Sequence, residues 1–245
     1  MAALIRQAPL VFPAAARHTA TVIFVHGLGD TGYGWADAVE NWRRRQRLDE
    51  VKFILPHAPS IPITCNMGMK MPGWYDIMRI DGNPDSLRAN EDEAGILLSR
   101  DYLNGLIQKE VEAGIPTERI VLGGFSQGGA MSLFSGLTAK VKLGGIVALS
   151  SYLLLSLKFA ELLPTPNVNK ETPIFMAHGD QDVVVPIQLG VKSHDALKGL
   201  GYSPIFKIYP NMGHSACPRE MDDVENFLKD RLPAQGEKKD GKAEL

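Results

Sequence analysis

A serine between glycines, two closely spaced aspartates and a late histidine are the side chains of this chain best placed to do covalent chemistry together. Ser126 stands in Gly124-Phe125-Ser126-Gln127-Gly128, the G-x-S-x-G pattern in which a sharp strand-to-helix turn pushes a serine hydroxyl outward. Glycine is needed on both flanks because so sharp a turn leaves no room for side chains. The helix that follows directs its positive N-terminal end at the reacting centre. A serine hydroxyl becomes a useful nucleophile only when a histidine takes its proton, and a carboxylate must orient that histidine. On this kind of turn the chain order is serine, acid, histidine. After Ser126 come His178, His194 and His214. His178 ends an apolar run, a place for local packing or turn hydrogen bonds, and His194 falls within a helical stretch as a surface residue. His214 lies in Asn211-Met212-Gly213-His214-Ser215, past the last apolar run, where a loop can carry its ring back over the serine. The acid should follow the run that ends at Gly179. Asp180 and Asp182 both qualify, the latter deeper in the loop that Pro186 closes, whereas Asp195 belongs to the next helix.

An acyl-transfer intermediate also needs two N–H donors for its oxyanion. One is expected from the residue after the nucleophile, Gln127, and the other from a loop after an early strand. His26-Gly27-Leu28-Gly29-Asp30 is such a loop, with glycines that permit an unusual backbone path, and the N–H of Leu28 is the candidate. His26 itself is read as a local hydrogen-bonding residue that holds the loop.

Elements that could position these groups recur along the chain. Thr21–His26, Val51–Leu55, Arg119–Gly123, Gly145–Leu149, Thr172–Ala177 and Ile205–Tyr209 are short apolar runs, continuous rather than alternating, as strands buried on both faces should be. Helical patterns separate them. Glu91–Ala113 has apolar residues at helical spacing and stops at Gly114 and Pro116, and Met131–Lys140 follows the serine turn. Strands alternating with helices predict an α/β chain with a mostly parallel central sheet covered on both faces.

With 245 residues and 44% hydrophobic content, one domain over 1–232 is expected, burying roughly three quarters of its unfolded surface. The tail from Pro233 is charged and almost free of large apolar residues, hence expected to be disordered. A formal charge of −2 and no basic stripe argue against nucleic acid. No apolar run approaches a membrane span, and Arg6, Gln7, Pro9 and Pro13 break the first residues before a secretory run builds. Cys65 and Cys217 are the two cysteines, which suits a reducing, cytoplasmic location, extended here to the nucleus. No metal or other cofactor is expected, and the chain should be a monomer or weak homodimer.

In order along the chain, HGLGDTGYGW (26–35), PHAP (56–59), MPGWYDI (71–77), EDEAGI (91–96), GGFSQGGAMSL (123–133), HGDQDVVVP (178–186) and MGHSACPREMDDV (212–224) resemble the acyl-protein thioesterase family of α/β-hydrolases, grouped with phospholipase/carboxylesterase proteins. The likeness runs from about residue 9 to 232. It implies an α/β-hydrolase fold, Asp182 rather than Asp180 as the acid, and His214, Leu28 and Gln127 in the roles given above. It also implies hydrolysis of acyl groups, palmitoyl above all, from protein cysteines, with small or single-chain acyl esters as the alternative substrates. Two features depart from the family. Met1-Ala2-Ala3 lacks the early cysteine that some members acylate, and Ser150–Leu157 is more aliphatic than the usual tryptophan-containing segment. For the acyl chain, Pro56–Asp76 supplies Ile61, Ile63, Met67, Met69, Met71 and Trp74 as a candidate channel wall. Trp74, Tyr152 and Val184 are the candidate acyl-binding residues.

Overall fold

All six apolar runs become strands, and they are arranged so that their C-terminal ends meet along one edge. The computed structural model describes residues 6–236 except 82, 84 and 86–89. Its main sheet contains β1 (Leu10–Phe12), β2 (Ala20–Val25), β3 (Val51–Leu55), β6 (Ile120–Phe125), β7 (Gly145–Leu149), β8 (Ile174–Gly179) and β9 (Ile205–Tyr209). The order is β1-β3-β2-β6-β7-β8-β9. Neighbours are parallel except β1, which runs antiparallel to β3. From β2 the chain first moves outward to β3 and then returns to β6 on the other side. That reversal between β2 and β6 opens a crevice beyond their C-terminal ends, the place where such sheets bind ligands.

Continuous apolar runs serve both faces, as their lack of alternation implied. Ile23 and Val25 of β2 join a core with α2 (Glu93–Glu112), α3 (Gln127–Leu137) and α5 (Ile187–Gly199). Val22 and Phe24 point the other way, into a core with α1 (Ala36–Arg44) and α6 (Pro218–Arg231). A single turn of helix, α4 (Phe159–Leu162), buries Phe159 in the first of these cores. Asp92 caps α2 by accepting the Gly95 N–H, so the helix starts inside the span read for it.

Three elements differ from the sequence reading. Helix α3 starts at Gln127, not Met131, because Gly128 and Gly129 pack where no side chain fits; a Cβ on Gly128 would lie 2.1 Å from the Val25 carbonyl oxygen. Strand β9 is not buried on both faces. It is the sheet's edge, with Ile205 and Ile208 about half exposed. Part of Pro56–Asp76 forms a hairpin, β4 (Ser60–Ile63) and β5 (Met69–Pro72), that its prolines and scattered methionines did not announce.

Residues 233–236, the start of the expected disordered tail, are tied to the body. Glu50 accepts the N–H groups of Gln235 and Gly236, and Arg119 donates to the Pro233 carbonyl. Residues 237–245 and the Met1-Ala2-Ala3 start lie outside the described residues. Among the described residues no helix is long and apolar enough to cross a membrane.

Candidate active site

Strand β6 runs into the turn at Ser126 and α3 leaves it at once. Ser126 has φ 55° and ψ −124°, a left-handed conformation that costs a non-glycine residue energy and needs surrounding structure to hold it. That support is visible. The Ser126 N–H donates to the Leu149 carbonyl at 2.8 Å, and a Cβ on Gly124 would lie 2.6 Å from both the Gly128 and Val25 carbonyl oxygens. Both flanking glycines are therefore required by backbone approaching backbone. Gly27, from the loop after β2, also abuts the turn: a Cβ there would lie 3.3 Å from that of Ser126.

His214, on the loop between β9 and α6, brings Nε2 to 2.9 Å from Ser126 Oγ. Its Nδ1 lies 2.7 Å from Asp182 Oδ2. A carboxylate only accepts, so Nδ1 carries the proton and Nε2 presents its lone pair to the hydroxyl, the tautomer a general base requires. The other oxygen of Asp182 accepts the N–H groups of Val184 and Val185 at 3.0 and 2.8 Å. Burial by itself would raise this carboxyl. Hydrogen bonds from the His178 and His214 rings, the attraction of His214 and the Val185 N–H outweigh that and hold it well below the ordinary carboxylate range.

The remaining candidates separate clearly. Asp180 is exposed and accepts the Asn211 N–H at 2.7 Å, holding the turn that leads to His214 rather than the ring itself. His178 is buried and donates from Nε2 to the Val185 carbonyl at 2.8 Å, with Asp182 Oδ2 at 3.5 Å. It buttresses the acid, a contact its place in the sequence did not reveal. His194 lies on α5, stacked on Phe206 and beside Asp195.

Leu28 and Gln127 border the same cleft as Ser126. As the first residue of α3, Gln127 has an N–H with no acceptor one turn earlier. Its side chain is a buried clamp: Oε1 accepts the Trp74 N–H at 2.8 Å and Nε2 donates to the Tyr75 carbonyl at 2.7 Å. His26 is fully buried, accepts the Ala58 N–H at Nε2 and therefore donates from Nδ1 to the Gly27 carbonyl at 2.7 Å. Burial lowers its pKa, which suits a neutral ring holding a loop.

Two clefts meet at His214. One is an apolar slot of about 220 Å³, bordered by Tyr75, Ile77, Ile80, Tyr152, Val184 and Val185 besides the residues just named. Of the three residues proposed to bind the acyl chain, Tyr152 and Val184 border this slot. Trp74 does not. It is buried away from the slot, donating from Nε1 to the His26 carbonyl at 2.8 Å and lying over the His26 ring. Its neighbour Tyr75 faces the slot instead, its hydroxyl 3.1 Å from that of Tyr152. Ile61, Ile63 and the methionines of the hairpin do not border the slot either. The hairpin holds the Leu28 loop from behind, with Gly29 donating to the Pro72 carbonyl at 2.8 Å. Glu91 and Asp92 explain the EDEAGI segment: Glu91 accepts the Leu155 N–H, and Asp92 accepts that of Asp76, fixing loops on two sides of the slot.

The second cleft, a groove of about 800 Å³, lies beyond His214 between α1 and the start of α6. It shares Asp30, Phe125 and His214 with the slot.

Known proteins match both the sequence and the shape. An acyl-protein thioesterase 1 of Neurospora crassa is 70% identical over 245 residues, covering all of both chains. One of Emericella nidulans is 52% identical over 232 residues, 94% of this chain and 97% of the relative. The crystal structure of Zea mays acyl-protein thioesterase 2 superposes with a TM-score of 0.80 at 30% identity, covering 91% of this chain and 98% of that one. The Phospholipase/Carboxylesterase family profile matches residues 7–232, the span that contains the elbow, the relay and both clefts. On that coverage and those identities the chain belongs to the phospholipase/carboxylesterase family of α/β-hydrolases.

Proposed function

We propose that this chain is an acyl-protein thioesterase that removes fatty acyl groups, palmitoyl above all, from protein cysteines through a covalent acyl-serine. The observation that carries this is the relay from Asp182 through His214 to Ser126, at 2.7 and 2.9 Å, opening on an apolar slot. The 70% identity to the Neurospora crassa acyl-protein thioesterase 1 supports it.

In the first step His214 Nε2 takes the hydroxyl proton while Ser126 Oγ bonds to the thioester carbonyl carbon. Backbone N–H groups of Leu28 and Gln127 receive the oxyanion. As the tetrahedral intermediate collapses, the carbon–sulfur bond breaks and the proton passes from His214 to the departing cysteine sulfur. Water then attacks the acyl-serine with His214 again as base, releasing a fatty acid and restoring the hydroxyl. Asp182 keeps the ring oriented and stabilises its charged form.

The test is turnover of an S-palmitoylated peptide by the wild-type chain and by Ser126→Ala. Fatty acid release that survives in the variant would sink the assignment. A second reading, hydrolysis of small or single-chain oxyesters, draws support from the slot. At about 220 Å³ it is smaller than the roughly 300–1,000 Å³ usual for drug-sized ligands. A series of thioesters with chains of about four, eight and sixteen carbons separates the readings, since each buried methylene adds about 0.8 kcal/mol. Rising kcat/KM to sixteen carbons supports the first; a fall beyond eight, with the palmitoyl peptide untouched, favours the second. A cytoplasmic and nuclear location belongs to the same proposal, supported by the unpaired thiols of Cys65 and Cys217.

A further inference from the structure

We infer that the groove between α1 and α6 seats the polypeptide on the leaving-group side of the thioester, with an apolar residue beside the acylated cysteine on its aromatic floor. The inference rests on the thioesterase reading and adds to it where the protein part of the substrate lies.

Stereochemistry separates the two halves of the substrate. The acyl carbonyl must reach Ser126 and the N–H groups of Leu28 and Gln127, all of which border the slot. The departing sulfur must receive its proton from His214 Nε2, so it sits within hydrogen-bond reach of that ring. A slot of about 220 Å³ filled by an acyl chain has no space for a polypeptide as well, whereas the groove of about 800 Å³ starts at the same histidine. Chain continuing from the sulfur therefore runs past His214 into the groove.

The lining says what kind of chain fits. Phe125 packs on His214 with ring centroids 4.8 Å apart, and Trp35 packs on Phe125 at 5.5 Å. With Trp42 and Met221 these rings form a largely apolar floor. Ala38, Asn41 and Trp42 of α1, with Arg45 just past its end, present one stripe at helical spacing, facing Pro218, Met221 and Asp222 of α6. Of the charged residues that border the groove, Arg44, Arg45 and Asp222 are already held in ion pairs, while Asp30 accepts the Thr31 N–H. Arg45 bonds Asp222 at 2.5 Å and Glu225 at 2.8 Å, and Arg44 pairs with Glu40 at 3.4 Å. Recognition of an acidic peptide by these arginines would have to break those pairs. An apolar side chain would displace only water, and aromatic and methionine surfaces are those on which such side chains bind.

The experiment measures kcat/KM for one acyl chain, octanoyl, on three leaving groups: a short peptide with leucine beside the cysteine, the same peptide with aspartate there, and a small thiol. The leucine peptide should exceed the other two by about tenfold, the effect of burying one aliphatic side chain. Ala38→Trp, which fills the groove from α1, should erase that advantage and leave the small thioester within about twofold, because its acyl half and transition state are unaltered. Equal rates on all three leaving groups in the wild type would overturn the inference, as would an Ala38→Trp variant that retains the leucine preference. An independent measurement needs no variant. The deacylated leucine peptide should inhibit wild-type hydrolysis of the small thioester competitively, and absence of inhibition at millimolar peptide would overturn the inference as well. Failure of the wild type on every thioester, with oxyesters still cleaved, would instead remove the thioesterase reading beneath it.

Discussion

The two ends of the central sheet both bury acidic side chains, yet they use them differently. At the N-terminal ends of β2, β3 and β6, Glu50 accepts the Thr19 hydroxyl at 2.6 Å and the N–H groups of Gln235 and Gly236. Arg119 donates to the Thr19 carbonyl and hydroxyl at 2.7 and 2.9 Å. Beside them Glu110 holds Lys52 at 2.6 Å and accepts from Thr21 at 2.7 Å. In this end the acids are consumed by cations, hydroxyls and backbone, and the network closes on itself. At the C-terminal ends, Asp182 is held as firmly, but the chain of bonds runs on through His214 to a serine hydroxyl bordering an apolar cleft. A buried carboxylate thus ties strands together when its network closes and can assist chemistry when its network ends at a cleft.

Substitutions at the two ends should therefore fail in different ways. The largest effect belongs to Ser126→Ala, expected to lower kcat about a millionfold with little change in melting temperature, measured by acyl thioester turnover and thermal denaturation. Asp182→Asn should cost about ten-thousandfold because the wrong tautomer faces the serine. Asp180→Asn, which keeps an oxygen able to accept the Asn211 N–H, should keep most activity; the reverse ranking would exchange their roles. At the closed end, Glu50→Gln should cost about 1–3 kcal/mol of stability in urea denaturation while kcat stays close to wild type. A hundredfold loss of kcat there would erase the contrast drawn above.

A last effect concerns pH. Burial pushes Glu220, in the first turn of α6, up to about 8, against the pull of the Cys217 N–H and with help from nearby Asp223. Between the ordinary glutamate value and about 8, the folded chain keeps this proton and the unfolded chain loses it, so stability falls as pH rises through that window. Glu220→Gln removes the titration. The melting temperature of the variant relative to wild type should rise from pH 5 to pH 8; a difference that stays constant would show that Glu220 does not carry the effect.

Much of the open end was legible in the chain. G-x-S-x-G reports its own geometry, since the glycines on either side of Ser126 are demanded by backbone contacts of 2.1–2.6 Å. His214 stood out because the other histidines after Ser126 sat at a strand end or on a helix. The acid was harder. Residue types and spacing left Asp180 and Asp182 open; the family resemblance pointed to Asp182, and the fold shows one facing the His214 ring and the other facing Asn211. Trp74 was misplaced because Trp74 and Tyr75 are adjacent and of similar character. Which of two successive rings faces a cavity depends on the path of a loop, and Gln127 fixes that path from another part of the chain.

The sequence by itself determined the α/β class, the strand runs, the elbow and the candidates for the relay. Each of these rests on local causes: continuous apolar runs, helix stop signals, and a turn that tolerates glycine alone. The tertiary structure alone decided that β9 is an edge, that His178 supports Asp182, that the hairpin braces the Leu28 loop, and that two clefts of different size meet at His214. All of these depend on segments distant in the chain coming within a few ångströms of each other, and no local pattern of side chains encodes which distant backbone will be the neighbour.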